Sequence, residues 1–164
     1  MSQRKDSQRQ DTPRNDVPRK FFSEDEQRRL REAIAAAEAR TSGEIRLHLE
    51  RDVPKKAPVS GDPYLRAREV FEKLGMHQTA ERNGVLVYLA TRTHRFAVLG
   101  DEQLHQHVGE TFWPEIRDLM AGHFKEDRFV EGLSGGIALI GEKLRDHFPH
   151  RDDDVNELSD EISY

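Results

Sequence analysis

The 164-residue chain contains no cysteine, which excludes disulfide bonds, thiolate metal sites and cysteine catalysis. It has no apolar run long enough to cross a bilayer, and residues 1–20 lack the apolar core of a secretory signal. The net charge of -5 argues against nonspecific binding to nucleic acid. We therefore expect a soluble, cytoplasmic protein with no nucleic-acid partner and no integral membrane segment.

Apolar residues make up 35% of the chain and are concentrated between about Phe21 and Phe148. This middle part is long enough to bury a core, whereas both ends are polar. The composition predicts a disordered basic arm over residues 1–20, one domain over residues 21–149 and an acidic C-terminal tail over residues 150–164.

Capping signals and hydrophobic periodicity predict the order α-β-α-β-β-α-α-α. Ser23 and Glu26 form a capping box, and Asp62-Pro63 is typical of a helix start. The predicted helices cover residues 24–40, 63–74, 101–108, 112–120 and 127–147, and the predicted strands cover residues 44–50, 85–90 and 96–99. The long first crossover favours parallel strands. We therefore predict a three-layer α/β/α sandwich, Rossmann-like, whose small mixed sheet has helices on both faces.

In this topology three polar segments meet at one edge of the sheet. Parallel pairing puts the start of the first strand beside the start of the second, and the hairpin brings the end of the third strand there. The oxygen-bearing side chains at that edge belong to Glu44, Glu81, Asn83, Asp101 and Glu102. Carboxylate and amide oxygens are ligands that calcium prefers, so the sequence predicts a cation site here. The alternative is that Asp101 only caps a helix, that Asn83 belongs to a turn, and that Glu44 is solvated.

Two other patterns point away from catalysis. Residues 132–136 read GLSGG, but this nucleophile-elbow pattern needs a strand before its serine, and here Ser134 lies inside a helical stripe. The histidines lack the HxxxH or HExxH spacing of a zinc site.

Trp113, beside Phe112 on an amphipathic segment, is expected in the core.

The chain resembles the TPM domain family, named after its thylakoid-lumen, photosystem-repair and channel-modulator members, and is most similar to the short bacterial branch. The matching pieces, in chain order, are TSGEI, FEKLGMHQTAERNGVLVYLA, FAVLGD, FW, EGL and HFP…DDDVNELSDEI. The resemblance implies a similar sandwich fold, calcium binding and, from plant lumenal members, acid phosphatase activity. It implicates Asp101 first, then Glu44 and Asn83, with Glu81 and Glu102 as further metal ligands.

Three functions follow from the residues and the resemblance together. The first is a calcium-binding domain that acts as a regulatory or assembly module, with magnesium as the alternative cation. The second is a weak metal-assisted acid phosphatase, for which the chain lacks a phosphate-binding loop. The third is a protein-interaction domain whose acidic tail contacts an unknown protein partner and whose metal is purely structural.

Overall fold

A computed structural model of the protein describes residues 13–153 and 155–164. The three strands are β1 (Glu44–Glu50), β2 (Gly84–Ala90) and β3 (Phe96–Gly100). The helices are α1 (Pro18–Phe21), α2 (Glu24–Glu38), α3 (Pro63–Lys73), α4 (Glu102–Val108), α5 (Pro114–Lys125) and α6 (Phe129–His147). Short 3₁₀ turns lie at Met76–Gln78 and Glu110–Phe112. From α2 onwards this order is the predicted one.

The sheet has the strand order β1-β2-β3. β1 and β2 are parallel, with Glu44 opposite Gly84, and β2 and β3 are antiparallel, with Val85 opposite Gly100. All seven residues of β2 are buried because it is the central strand and both of its faces are covered. The predicted mixed sheet is therefore confirmed.

Two hydrophobic clusters form the layers on the two faces of the sheet. The larger cluster joins one face to α2, α5 and α6 and includes Leu47, Val87 and Ile137. The smaller cluster joins the other face to α3 and includes Tyr88 and Phe71. Helices on both faces of a small mixed sheet make the predicted α/β/α sandwich.

The helix starts follow the local sequence. Ser23 accepts from the Glu26 amide, and Glu26 reaches back to the Ser23 amide, as the capping box predicts. The Asp62 side chain caps α3 ahead of Pro63. The last helix was predicted from residue 127 but begins at Phe129, because Asp127 has a positive φ of 58° that a right-handed helix does not accommodate.

The structure differs from the prediction over the last part of the N-terminal arm. Arg14 makes a two-pronged ion pair with Glu26, with both N–O distances 2.7 Å, and its guanidinium lies 5.5 Å from the centre of the Phe21 ring. Residues 18–20 belong to α1. Residues 13–20 therefore pack on the domain, while the prediction for residues 1–12 lies outside the described residues.

The end of the acidic tail also packs on the domain. We call residues 155–164 the C-terminal strap. The Ser163 amide donates to the Leu47 carbonyl (2.8 Å), and the Leu49 amide donates to the Ser163 carbonyl (2.9 Å), so the strap pairs with the free edge of β1. Ile162 is 8% exposed and joins the larger hydrophobic cluster. The strap is thus a docked segment and not a solvated tail.

Within residues 13–153 and 155–164, no helix has the length and apolar character needed to cross a membrane.

Candidate functional site

The predicted edge of the sheet exists, because β1 and β2 begin there and β3 ends there. Glu44 is opposite Gly84, and the Asp101 amide donates to the Gly84 carbonyl over 2.8 Å. The backbone therefore brings the three polar segments together as expected. The side chains, however, divide among separate environments.

Asp101 is buried, and both of its carboxylate oxygens are engaged. Oδ2 accepts from Arg82 Nε (2.8 Å), and Oδ1 accepts from the Gln103 amide (3.0 Å). The second contact is the cap of α4 that the sequence offered as the alternative role. Glu102, next in the chain, is exposed. Asp101 thus serves an arginine and a helix start in this structure.

A cavity of about 310 Å³ opens beside Asp101, between α3 and α4. Arg68 and Arg82 line it together with three acidic residues, Glu72, Asp101 and Glu102. Opposite charges are therefore mixed on its wall. This mixture favours neither an anion nor a cation there.

Glu81 and Asn83 belong to a second environment. Ser42 Oγ donates to Glu81 Oε2 over 2.7 Å, and Asn83 Nδ2 donates to the same oxygen over 3.1 Å. Arg151 forms an ion pair with the other oxygen of Glu81. The carboxylate of Glu81 is therefore already charge-compensated.

Among the predicted residues, Glu44 is the buried carboxylate whose charge is least compensated by hydrogen-bond donors or cations. It is 4% exposed, and its Oε1 accepts from the Glu157 amide of the C-terminal strap. No described residue donates a hydrogen bond to its Oε2. Burial raises the pKa of Glu44 to about 7, against an ordinary value of 4.5, because a charged carboxylate loses its hydration there.

Glu38, at the end of α2, is a second acid next to Glu44, and its side chain is half-buried. Its Oε2 accepts from the Ile45 amide (3.2 Å), while Oε1 has no donor among the described residues. Burial, followed by a hydrogen bond to Asp160 and the negative charge of that residue, raises the pKa of Glu38 to about 9. Burial likewise lowers the pKa of the neighbouring Arg46 guanidinium.

These acids surround a cavity of about 170 Å³, which we call the Glu44 cavity. The strap closes one side of it. Its oxygen-bearing lining residues are Glu38, Thr41, Ser42, Glu44, Asn156 and Asp160. Asn156 donates to Asp160 over 3.1 Å within the strap. The cavity therefore gathers oxygen atoms from α2, from the start of β1 and from the strap.

The five predicted ligands do not form one cluster of side chains. Among residues 13–153 and 155–164, no three acidic or histidine side chains are arranged to hold a metal ion. Asp101 and Glu102 lie at the larger cavity, Glu81 and Asn83 lie in the Ser42 network, and Glu44 lies under the strap. Metal ligation by these residues stays a prediction.

Sequence reasoning missed Glu38 and Asp160. Glu38 lies at the end of a helix, where an acidic side chain is ordinary and carries no signal. Asp160 belongs to the acidic tail, which the sequence assigned to an unknown protein partner and not to contacts with the domain itself. Only the folded strap brings it beside Glu38.

The glycines at the sheet edge make room for side chains. A Cβ on Gly100 would lie 2.7 Å from Trp113 Cζ2, and a Cβ on Gly43 would lie 2.8 Å from Leu144 Cδ1. Trp113 is 5% exposed, and its Nε1 donates to His105 Nδ1 over 2.9 Å. The predicted core position of Trp113 is confirmed.

The GLSGG segment lies inside α6. Ser134 Oγ donates back to the Val130 carbonyl, and a Cβ on Gly136 would lie 2.6 Å from Met120 Cγ. The glycines therefore serve close packing of α5 on α6, and no strand precedes the serine, as the sequence predicted.

The model of the TPM domain family matches residues 16–143. Among solved structures, the chain is similar to the BA42 protein from the psychrophilic bacterium Bizionia argentinensis, with 37% identity, 87% of this chain and 94% of that chain covered, and a TM-score of 0.79. The N-terminal domain of a protein from P. gingivalis shares the fold alone, with 17% identity, 79% and 82% covered, and a TM-score of 0.61. No curated protein matches the chain. On the family match over most of its length, the chain belongs to the TPM domain family.

Proposed function

We propose that this TPM domain binds a hard divalent cation, calcium, in the Glu44 cavity and acts as a regulatory or assembly module. The observation that carries the proposal is Glu44 Oε2, a buried carboxylate oxygen with no hydrogen-bond donor among the described residues. An uncompensated buried carboxylate is costly, and a cation beside it removes that cost.

The donor chemistry of the cavity fits calcium. Around Glu44 the lining offers the carboxylates of Glu38 and Asp160, the hydroxyl of Ser42 and the carboxamide oxygen of Asn156. Calcium accepts six to eight oxygen ligands in flexible geometry, including neutral ones, whereas magnesium demands a near-ideal octahedron. Neutral oxygens can therefore complete a site that has few acidic ligands.

The raised pKa values of Glu44 and Glu38 support the same proposal. Metal binding requires deprotonated ligands and releases protons. With the pKa of Glu44 at about 7, calcium should bind more tightly as the pH rises through 7, and the gain due to Glu44 should level off above that pH. The Glu44 cavity would thus hold protons at low pH and a cation at higher pH.

Acid phosphatase activity, implied by the resemblance, finds less support here. Asp101 would be the natural phosphoryl acceptor at the larger cavity, but both of its oxygens accept hydrogen bonds. Ser134 donates within its own helix. Both side chains are therefore engaged in structural hydrogen bonds, whereas a nucleophile has to be activated for attack.

The test is a calcium titration of wild type, Glu44→Gln and Asp101→Asn at about pH 8, with NMR chemical shifts and calorimetry as the readouts. The Glu44→Gln variant should lose at least about tenfold in calcium affinity, since affinity depends on the charge of the ligands. Asp101→Asn is the matched control, because it also removes one buried charge at the sheet edge and asparagine caps a helix about as well as aspartate.

Three outcomes decide the proposal. Selective loss in Glu44→Gln supports it. Selective loss in Asp101→Asn overturns the placement and returns the site to the cluster predicted from sequence. A wild-type protein that binds no calcium rejects the function itself. A phosphate-ester assay on the same samples, with and without calcium, separates binding from catalysis.

A further inference from the structure

The C-terminal strap has two kinds of contact with the domain. At its end, Ser163 exchanges two hydrogen bonds with the edge of β1, and Ile162 is buried in the larger hydrophobic cluster. At its start, the Glu157 amide donates to Glu44 Oε1, and the Glu157 carboxylate accepts from the Ala80 amide at 3.2 Å. The same ten residues therefore both cover a sheet edge and reach the candidate site.

The strap supplies part of the Glu44 cavity. Asn156 and Asp160 line the cavity, and they reach it only because the strap is docked. Glu44 and Glu38 come from the body of the domain. The set of oxygen atoms around the cavity is therefore complete only in the docked state.

Charge opposes this docking in the absence of a cation. Asp160 faces the half-buried Glu38. The charge of Glu157 acts on the buried Glu44, although the Glu157 carboxylate itself accepts from the Ala80 amide. Arg46 contacts the strap through the Glu161 carbonyl (3.3 Å), but its Nε has no acceptor among the described residues. When Glu38 and Glu44 lose their protons, like charges at close range repel, and a divalent cation would reverse the sign of that interaction.

We propose that the C-terminal strap is a latch controlled by the cation: calcium in the Glu44 cavity and docking of the strap on β1 favour one another. This inference rests on the proposed function. Because the coupling is thermodynamic, it is reciprocal: docking of the strap raises calcium affinity by the same factor by which calcium favours docking. A strap that no longer docks should therefore leave a protein that binds calcium more weakly. This reciprocity makes the latch testable at a residue that is not itself a candidate ligand.

Ile162 offers that test. It anchors the strap in the core and is 8% exposed, whereas Leu65, on α3, is 37% exposed and does not line the Glu44 cavity. Neither side chain carries an oxygen. The Ile162→Ser variant should bind calcium at least about fivefold more weakly than wild type, which is the lower range of allosteric coupling. The Leu65→Ser variant, the matched control, should bind calcium as wild type does.

A second measurement uses the wild-type protein. Calcium should slow hydrogen exchange of the Ser163 and Leu49 amides, which bond across the strap and β1, relative to amides of β2. Local opening is what exchange reports. The Ser163→Pro variant removes one of these donors and should weaken calcium binding without touching the core.

The outcomes separate the latch from the proposed function. If wild type binds no calcium, the proposed function fails and the latch fails with it. If wild type binds calcium, but Ile162→Ser and Ser163→Pro bind equally well and the Ser163 amide exchanges at an unchanged rate, the latch alone is overturned. Should Ile162→Ser not fold, Ser163→Pro and the wild-type exchange data decide. The latch is supported if the strap variants bind calcium more weakly and calcium slows hydrogen exchange of the Ser163 amide in wild type.

Discussion

Replacing Glu44 by glutamine should change how the stability of the calcium-free protein depends on pH. The folded-state pKa of Glu44 is about 7, against an ordinary value of 4.5. A raised carboxyl pKa means that the folded state holds the proton more tightly. Its contribution to stability is therefore fully present below about pH 4.5, is lost as the pH rises through 7, and stays lost above.

The size of this effect follows from the shift. One pKa unit corresponds to about 1.4 kcal/mol, so the whole shift amounts to about 3 kcal/mol. Between about pH 5.5 and about pH 8.5, the wild-type protein should lose about 2 kcal/mol through Glu44 alone. Glutamine has nearly the same shape and no charge, and its carbonyl can still accept from the Glu157 amide. The variant should therefore lack this loss.

The assay is urea unfolding of both proteins at the two pH values, with a chelator present. The free energy of unfolding of Glu44→Gln, relative to wild type, should rise by about 2 kcal/mol from the lower to the higher pH. Glu38 is present in both proteins, so its own titration cancels to first order. The control is Glu32→Gln, which removes one negative charge from an exposed position on α2 and should run parallel to wild type.

A constant difference between Glu44→Gln and wild type across this pH range would refute the reasoning. It would mean that Glu44 is as well solvated in the folded protein as in the unfolded chain. The same result would remove the electrostatic basis for a cation in the Glu44 cavity. The structure requires that only the Glu32→Gln control keeps a constant difference from wild type in the free energy of unfolding across this pH range.

Two further predictions concern packing. Gly141→Ala should destabilise the protein by about 1–3 kcal/mol, because its Cβ would lie 2.8 Å from Ala37 Cβ and 2.9 Å from Ala37 Cα. Gly122→Ala should stabilise α5 by about 0.5–1 kcal/mol, since nothing lies within 4 Å of its added Cβ. Equal effects of the two substitutions in thermal unfolding would contradict the α2–α6 contact. Trp113→Ala should cost about 3–5 kcal/mol in denaturant unfolding, and a fully stable variant would contradict its place in the core.

Much of the fold could be predicted because local signals agreed with the tertiary structure. The capping box at Ser23, the Asp62-Pro63 start and the all-apolar strand from Val85 each depend on near neighbours in the chain. The connection between β1 and β2 was long enough for a crossover and favoured a parallel pairing. The meeting of three polar segments at one sheet edge then followed from topology alone.

The side-chain arrangement could not be predicted, because it depends on contacts between residues far apart in sequence. Asp101 was expected to face a cation, but Arg82 occupies one of its oxygens. The sequence separation of Arg82 and Asp101 does not predict that Arg82 pairs with the residue that caps α4. The composition of the tail predicted solvation, yet Ile162 packs in the larger hydrophobic cluster and Leu158 packs against the smaller one.

The C-terminal strap also covers the edge strand of the sheet. With only three strands, β1 is an edge strand, and a free edge of unpaired amides and carbonyls invites pairing with other chains. Ser163 covers two of those groups, so the acidic tail protects the edge at the same time as it closes the Glu44 cavity. A tail serving only as an edge cover would need no carboxylates facing Glu38 and Glu44. Their presence at that place is the reason to connect edge protection with cation binding.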